Sequence, residues 1–207
     1  MTRPLGVILA GGLATRMGGG DKSLLDLGGR SILQHVIERL RPQVEEIALS
    51  ANGAPSRFEN FGLPVVPDSI EGFAGPLAGV LAGMDYAVGE GFDRIVTVAA
   101  DTPFFPTNLV ALFQIAADRA GSGLVLAATP DEKRGILRHP TFGLWPVSLR
   151  EDLRQALQDG LRKVVLWTDG HNGTVALFDS ADEDPFFNVN TPDDLTAARK
   201  IMAKGAA

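Results

Sequence analysis

Cysteine is absent from the 207-residue sequence, and histidine occurs only three times. Without thiols, the chain has no disulfide, no thiolate metal site and no cysteine nucleophile. His35, His139 and His171 are widely spaced and form no His-x-x-x-His pattern. A zinc site built on histidine is therefore not expected.

Positive charge and long apolar runs are also scarce. Lysine and arginine total 19 against 25 acidic residues, so the net charge is −6 at pH 7. This balance argues against a nucleic-acid or membrane-surface binder. No apolar run approaches the roughly 18 residues of a membrane span, and the apolar stretch near the start is too short for a signal peptide. We expect a cytoplasmic enzyme that is a single domain over residues 1–207.

Glycine, in contrast, is concentrated near the start, in the segment LAGGLATRMGGGDK between Leu9 and Lys22. The segment follows an apolar strand pattern and contains two cations, Arg16 and Lys22. Glycines let a backbone approach a polyphosphate closely, and free N–H groups and cations then bind the anion. The Walker pattern fails because Asp21 and Arg16 stand where glycine is required, and the dinucleotide pattern fails at Ser23. The segment therefore predicts a nucleotide loop of a third kind.

Strand-like and helix-like patterns alternate along the rest of the chain. This alternation predicts a three-layer α/β/α fold with a mostly parallel, Rossmann-like sheet. The predicted strands are 5–9, 46–50, 64–67, 94–100, 123–128, 142–145, 164–167 and 186–189. The predicted helices are 31–40, 77–88, 107–120, 150–161 and one that begins at the Thr191 N-cap and runs to about residue 203.

Polar residues follow several of these strands, where ligands bind in such folds. Asp101 follows directly at the end of a buried strand. A carboxylate at this position either coordinates magnesium beside a nucleotide or caps the next turn. Asp68 is interpreted as a contact to ribose, base or metal-bound water, or as a turn residue. Asn52 precedes Gly53 and is mostly a turn signal.

Three further features leave alternatives open. A second glycine-rich turn at 72–79 either meets a ligand or packs closely. Asn188 and Asn190 share a strand face by their spacing, and either bind a phosphate or form a turn. The cations Lys133, Arg134 and Arg138 beside His139 either receive an anionic substrate or are solvated.

The segment LAGGxxxRMGGxDK resembles the signature loop of the molybdenum cofactor guanylyltransferases, which belong to the Rossmann-like nucleotidyltransferases. The resemblance extends to Ser50–Asn52, Asp68 with the GPLAG turn, the DTPF segment at Asp101 and the NVNTPDDL tail. It implies an enzyme that transfers GMP from GTP to the phosphate of molybdenum-molybdopterin and releases pyrophosphate. It implies Mg²⁺ as cofactor and transient contacts with other cofactor-biosynthesis proteins and recipient molybdoenzymes.

The resemblance also implies roles for individual residues. Lys22, Arg16 and Asp101 would be catalytic, with Asp101 as the metal ligand. The implied pterin contacts would be Gly79, Asn188 and Asn190. The residues implied to bind the nucleotide are Leu9, Ala10, Gly11, Gly12, Lys22, Ser50, Asn52, Asp68, Gly75, Pro76 and Asp101. Many relatives have asparagine at the position of Ser50, so either Ser50 or Asn52 makes that nucleotide contact.

Alternatives remain. A cytidylyltransferase acting on molybdopterin and a sugar-phosphate nucleotidyltransferase share the first loop. A non-catalytic carrier of nucleotide or cofactor is disfavoured by the presence of both Lys22 and Asp101. A GTP-hydrolysing switch is disfavoured by the failed Walker pattern.

Overall fold

Seven strands in the described part of the chain form one sheet, seen in a computed structural model that describes residues 3–11, 21–70, 72, 75–179 and 184–205. The strands are β1 Leu5–Leu9, β2 Ile47–Ser50, β3 Val65–Val66, β4 Arg94–Ala99, β5 Val125–Asp131, β6 Gly135–Pro146 and β7 Thr174–Leu177. Their order is β3-β2-β1-β4-β6-β5-β7. All neighbours pair in parallel except β6, which is antiparallel to both β4 and β5.

Helices cover both faces of this sheet, which confirms the predicted three-layer, mostly parallel architecture. The helices are α1 Ile32–Leu40, α2 Pro76–Gly89, α3 Leu109–Ala120, α4 Arg150–Gln158, α5 Val164–Gly170 and α6 Pro192–Gly205. One buried apolar cluster joins the sheet to α1 and α3, and another joins it to α2, α4 and α5. A smaller cluster packs α6 against the start of α1.

Helix α1 shows how local sequence produces these layers. Ser31 accepts a hydrogen bond from the main-chain N–H of Gln34 at 3.1 Å, which satisfies a free N–H group at the helix start. Apolar residues recur at helical spacing, and all of them are buried against the sheet, at Ile32, Leu33, Val36, Ile37 and Leu40. The predicted helix 31–40 is therefore confirmed, with Ser31 as its cap.

Two predicted strands are wrong. Residues 164–167 form the first turn of α5, because Val164, Trp167 and Thr168 are buried at helical spacing while Leu166 is exposed. Short apolar runs do not distinguish a strand from a helix. Residues 186–189 form no strand, because Phe186 and Val189 pack into two different apolar clusters.

The hairpin of β5 and β6 and the edge strand β7 also differ from the prediction. The strand predicted at 142–145 is the end of a longer β6, which turns back from β5 through residues 132–134. Strand β7 was not predicted, since its four residues lie at the sheet edge and Leu177 points to solvent. Parallel pairing with β5 places it in the sheet.

Candidate active site

Four parallel strands end at the same edge of the sheet and bring the predicted polar residues together. Main-chain bonds continue past the strand ends: the Ala10 N–H donates to the Ser50 carbonyl at 2.9 Å, and the Ala100 N–H to the Leu9 carbonyl at 3.1 Å. Asn52, Asp68 and Asp101 follow shortly after β2, β3 and β4. They lie along one edge, as the strand positions predict.

Lys22 lies at this edge, beside the end of β4. It begins a short 3-10 helix, Lys22–Leu24, and its ammonium forms an ion pair with Oδ2 of Asp101. The same ammonium donates to Oδ1 of Asn190 at 2.6 Å. The side chains of Lys22 and Asp101 are 25% and 16% exposed, so the pair is partly shielded from water. Three distant parts of the sequence therefore meet at one cation.

The asparagine segment, which contains Asn188 and Asn190, is anchored to the end of β4. The Val189 N–H donates to the carbonyl oxygen of Asp101 at 2.9 Å. The buried hydroxyl of Thr102 hydrogen-bonds to Oδ1 of Asn188 and lies 3.2 Å from Oδ1 of Asp101. Thr102 therefore fixes the Asp101 carboxylate and the asparagine segment together, a role that sequence reasoning missed.

The start of α6 holds the same segment from its other side. Oδ2 of Asp194 accepts the N–H groups of Asn190 and Thr191, both at 2.9 Å, and the Thr191 hydroxyl accepts the Asp194 N–H at 3.1 Å. The N–H donors, that of Asn190 first, hold the pKa of the Asp194 carboxyl below its ordinary value. The predicted cap at Thr191 is confirmed, and it orients Asn190 toward Lys22.

Asp68 is held by Asn52. The amide Nδ2 of Asn52 donates to Oδ2 of Asp68 at 2.7 Å, and Oδ1 of Asn52 accepts the Asp68 N–H at 2.9 Å. Asn52 is exposed, whereas the Ser50 side chain is buried. Which of the two contacts a nucleotide stays a prediction.

Gly79 lies on the buried face of α2, beneath the ends of β1 and β2. A Cβ atom at this position would lie 2.8 Å from the Ser50 hydroxyl oxygen and 2.9 Å from Cδ2 of Leu9. Glycine is therefore required for close packing here, and a pterin contact at Gly79 stays a prediction. Gly75 and Pro76 begin the same helix at the site edge, with Gly75 at a φ of 147° that favours glycine.

The first loop is described only at its two ends. A Cβ atom at Gly11 would meet no atom of the described residues within 4 Å. The predicted phosphate contacts Gly12 and Arg16 lie outside the described residues.

The basic residues of the β5–β6 hairpin are partly engaged elsewhere. Arg138 forms an ion pair with Asp169 at 2.5 Å. His139 stacks on Phe186 with ring centroids 4.2 Å apart, and its Nε2 lies 3.0 Å from the Thr129 hydroxyl. Burial lowers the pKa of His139. These contacts give His139 a packing role beside the asparagine segment.

The donor set at Lys22 is suited to a hard cation. Carboxylate and amide oxygens of Asp101 and Asn190 already bind one cation, the lysine ammonium. No cluster of three or more His, Cys, Asp or Glu side chains able to hold a metal was found among the described residues. Mg²⁺ is commonly bound by one or two carboxylates together with substrate phosphates. Asp101 therefore fits a metal that arrives with a nucleotide.

In the same described part of the chain, no helix has the length and apolar character needed to cross a membrane.

Comparison with known proteins gives consistent matches over nearly the whole chain. The family described as the MobA-like NTP transferase domain matches residues 6–172. The chain is 48% identical over 201 residues to the molybdenum cofactor guanylyltransferase of Bradyrhizobium sp. (strain ORS 278), covering 96% of this chain and 92% of that protein. The identity to the protein of the same name from Cereibacter sphaeroides is 45% over 204 residues, covering 99% and 100%.

Solved structures share the fold at lower sequence identity. Molybdopterin-guanine dinucleotide biosynthesis protein A from Archaeoglobus fulgidus superimposes with a TM-score of 0.73 at 23% identity, covering 97% of this chain and 99% of that one. A 4-diphosphocytidyl-2C-methyl-D-erythritol synthase from Anaerococcus prevotii superimposes with a TM-score of 0.74 at 14% identity, covering 98% and 96%. At these identities the similarity concerns the fold alone.

Proposed function

The chain belongs to the molybdenum cofactor guanylyltransferases, within the MobA-like NTP transferase family, and from this premise we propose that it transfers GMP from GTP to the phosphate of molybdenum-molybdopterin. Pyrophosphate leaves, and the product is a molybdopterin guanine dinucleotide cofactor. The observation that carries the proposal is the hydrogen-bonded cluster of Lys22, Asp101 and Asn190 at the carboxyl edge of the sheet.

The reaction is an in-line displacement at the α-phosphorus of GTP. A terminal phosphate oxygen of the pterin forms the new P–O bond, and the bond from the α-phosphorus to the oxygen that bridges to the β-phosphate breaks. The attacking phosphate is already ionised near neutral pH, so the protein needs no strong general base. Catalysis then depends on positioning and on charge stabilisation.

Lys22 supplies mobile positive charge for this displacement. Its ammonium is bound by Asp101 and by Asn190. A bound triphosphate offers stronger negative charge at the same edge, so the ammonium moves to the phosphates and stabilises the leaving pyrophosphate. In this proposal Gly12 and Arg16 of the first loop also bind the phosphates.

Asp101 would hold Mg²⁺. When bound, the metal neutralises charge on the phosphate oxygens and orients the triphosphate. The Thr102 hydroxyl keeps the Asp101 carboxylate in place, because it lies 3.2 Å from Oδ1 and leaves Oδ2 to the lysine.

The remaining polar groups bind the two substrates. Asp68, held by Asn52, binds the nucleoside end of GTP together with the N-terminus of α2 at Gly75. Asn188 and Asn190 approach the reacting phosphate from the pterin side. The enzyme works in the cytoplasm, with transient contacts to other cofactor-biosynthesis proteins and to the molybdoenzymes that receive the product.

Pyrophosphate release tests this function. Purified protein is incubated with Mg²⁺ and molybdenum-loaded molybdopterin, and GTP, CTP, ATP and UTP are compared. Release that requires both GTP and the pterin is the expected result. Release with CTP instead would keep the mechanism and overturn the base assignment, and no release from protein that still binds GTP would favour a carrier.

Two variants test the residue assignment in the same assay. Lys22→Ala and Asp101→Ala are expected to lower turnover by orders of magnitude, because each removes charge that stabilises the transition state. Lys200→Ala and Asp118→Ala, at exposed positions of α6 and α3, are the matched controls. Near-normal turnover by a folded Lys22 or Asp101 variant would remove that residue from the mechanism.

A further inference from the structure

Arg57 joins two segments of the site that lie far apart in the sequence. It lies on the 3-10 helix Pro55–Phe61, between β2 and β3. Its Nε is 3.1 Å from Oδ2 of Asp21, and its Nη2 donates to the main-chain carbonyl of Asn52. The guanidinium carbon lies 4.7 Å from the ring centroid of Phe58, a fully buried side chain. The Arg57 guanidinium is thus held by an anion, a carbonyl and an aromatic face.

Each of these two segments carries a residue of the proposed mechanism. Asp21 immediately precedes Lys22, whose ammonium is bound to Asp101. Asn52 holds both the main-chain N–H and the carboxylate of Asp68. A single side chain therefore connects the phosphate-binding lysine to the carboxylate at the other end of the nucleotide.

We propose that Arg57 is a positioning residue for the nucleotidyl transfer, which keeps Lys22 and Asp68 at the separation that a bound nucleotide requires. This inference rests on the proposed function. Arg57 touches neither substrate in this scheme and acts through Asp21 and Asn52. Displacement of a reacting group by about 1 Å can cost about a hundredfold in rate, so such a connection affects catalysis.

The guanidinium group is specifically suited to this position. Its planar fork places Nε in an ion pair with the Asp21 carboxylate while Nη2 donates to the Asn52 carbonyl, so one rigid group contacts both partners. The turn that presents this carbonyl contains Gly53 at a φ of +86°, a conformation that glycine adopts readily. A lysine ammonium keeps the charge but lacks the fork, so Arg57→Lys separates charge from geometry.

The test compares Arg57→Ala, Arg57→Lys and Asp21→Asn with the native protein in GTP-dependent pyrophosphate release. Arg30→Ala is the control, because Arg30 also forms an ion pair, with Glu38 at 2.6 Å, but is 55% exposed and lies in the turn before α1. Unfolding midpoints identify any variant that does not fold. The kcat and KM for GTP are measured for each folded variant.

We expect Arg57→Ala to lower kcat/KM for GTP by about 10- to 100-fold, with a loss in kcat as well as a rise in KM. Arg57→Lys should recover little of this loss, and millimolar guanidinium ion should partly restore the alanine variant. Asp21→Asn combined with Arg57→Ala should cost less than the product of the two single losses, because both break the same connection.

Three outcomes would overturn the inference. The first is an unchanged kcat and KM in the folded Arg57 variants, with unchanged values in the control Arg30→Ala as well. That result would overturn the role of Arg57 and leave the proposed guanylyl transfer intact. The second is full recovery by Arg57→Lys, which would mean that charge alone matters. The third is no pyrophosphate release by the native protein with any nucleotide, in which case the proposed function and this inference fail together.

Discussion

Replacing Lys22 with methionine should make the nucleotide-free protein bind a divalent cation more tightly. In the native protein the lysine ammonium is bound to Oδ2 of Asp101 and to Oδ1 of Asn190. These are the oxygens that fit a hard cation, so the ammonium and the metal compete for them. Methionine has a similar length and no charge, and it leaves the oxygens available.

The size of the effect follows from the geometry of the pair. Hydrogen bonds that involve a charged group contribute about 1.5–3 kcal/mol. The pair is partly exposed, at 25% for Lys22 and 16% for Asp101, so solvent screening reduces its contribution. We therefore expect a gain of about 1–2 kcal/mol in metal binding, which is roughly a 5- to 30-fold lower Kd.

Mn²⁺ is a suitable ion for the assay, because its free form gives an electron paramagnetic resonance signal that decreases on binding. The native protein, Lys22→Met and the control Lys200→Met are titrated with Mn²⁺, first without nucleotide and then with GTP. With GTP present the sign should reverse, because Lys22 then binds the triphosphate and its loss weakens the Mn²⁺–GTP complex. Adding Asp101→Asn to both the native protein and the Lys22→Met variant should abolish the difference between them, because it removes the shared ligand.

The reasoning is refuted if Lys22→Met binds Mn²⁺ no more tightly than the native protein in the absence of nucleotide. That result would mean that Lys22 and the metal do not share Asp101. An equal gain in Lys200→Met would mean that net charge alone sets the affinity.

Further predictions concern stability. Thr97→Val should lower the free energy of unfolding in urea by about 1–3 kcal/mol, because it leaves the buried Trp145 N–H, now 2.8 Å from the threonine hydroxyl, without a partner. Gly83→Ala should destabilise by up to about 2 kcal/mol, since its Cβ would lie 2.8 Å from a Val7 methyl and overpacking outweighs the gain in helix propensity. Burial lowers the pKa of His139, so the unfolded chain binds more protons than the folded protein as the pH falls through about 6.5, and the free energy of unfolding decreases there. His139→Phe should reduce that decrease, and an unchanged pH dependence would contradict the assignment.

The fold could be predicted largely from local patterns because parallel α/β proteins repeat one unit. Buried strands read as apolar runs, and amphipathic helices such as α1 read as a 3.6-residue period. The patterns were insufficient where a segment is short. The short apolar run 164–167 fits either a strand or a helix. The packing of Trp167 against Trp145 in the tertiary structure goes with the helical conformation of α5.

The same distinction applies to the site. Asp68 and Asp101 could be found from the sequence because each follows a strand, and strand ends in a parallel sheet meet at one edge. Thr102 and Arg57 could not be assigned from the sequence. Thr102 acts through Asn188, far along the chain, and Arg57 lies on an irregular connection with no periodic pattern.

The sequence by itself determined the strand and helix alternation, the glycine-rich loop and the carboxylates at strand ends, because these depend on neighbouring residues and on period. Only the tertiary structure decided that Lys22 is bound by Asp101 and Asn190, and that Arg57 connects Asp21 to Asn52. Such contacts join residues far apart in the chain, and their geometry is set by how the layers pack rather than by any local preference.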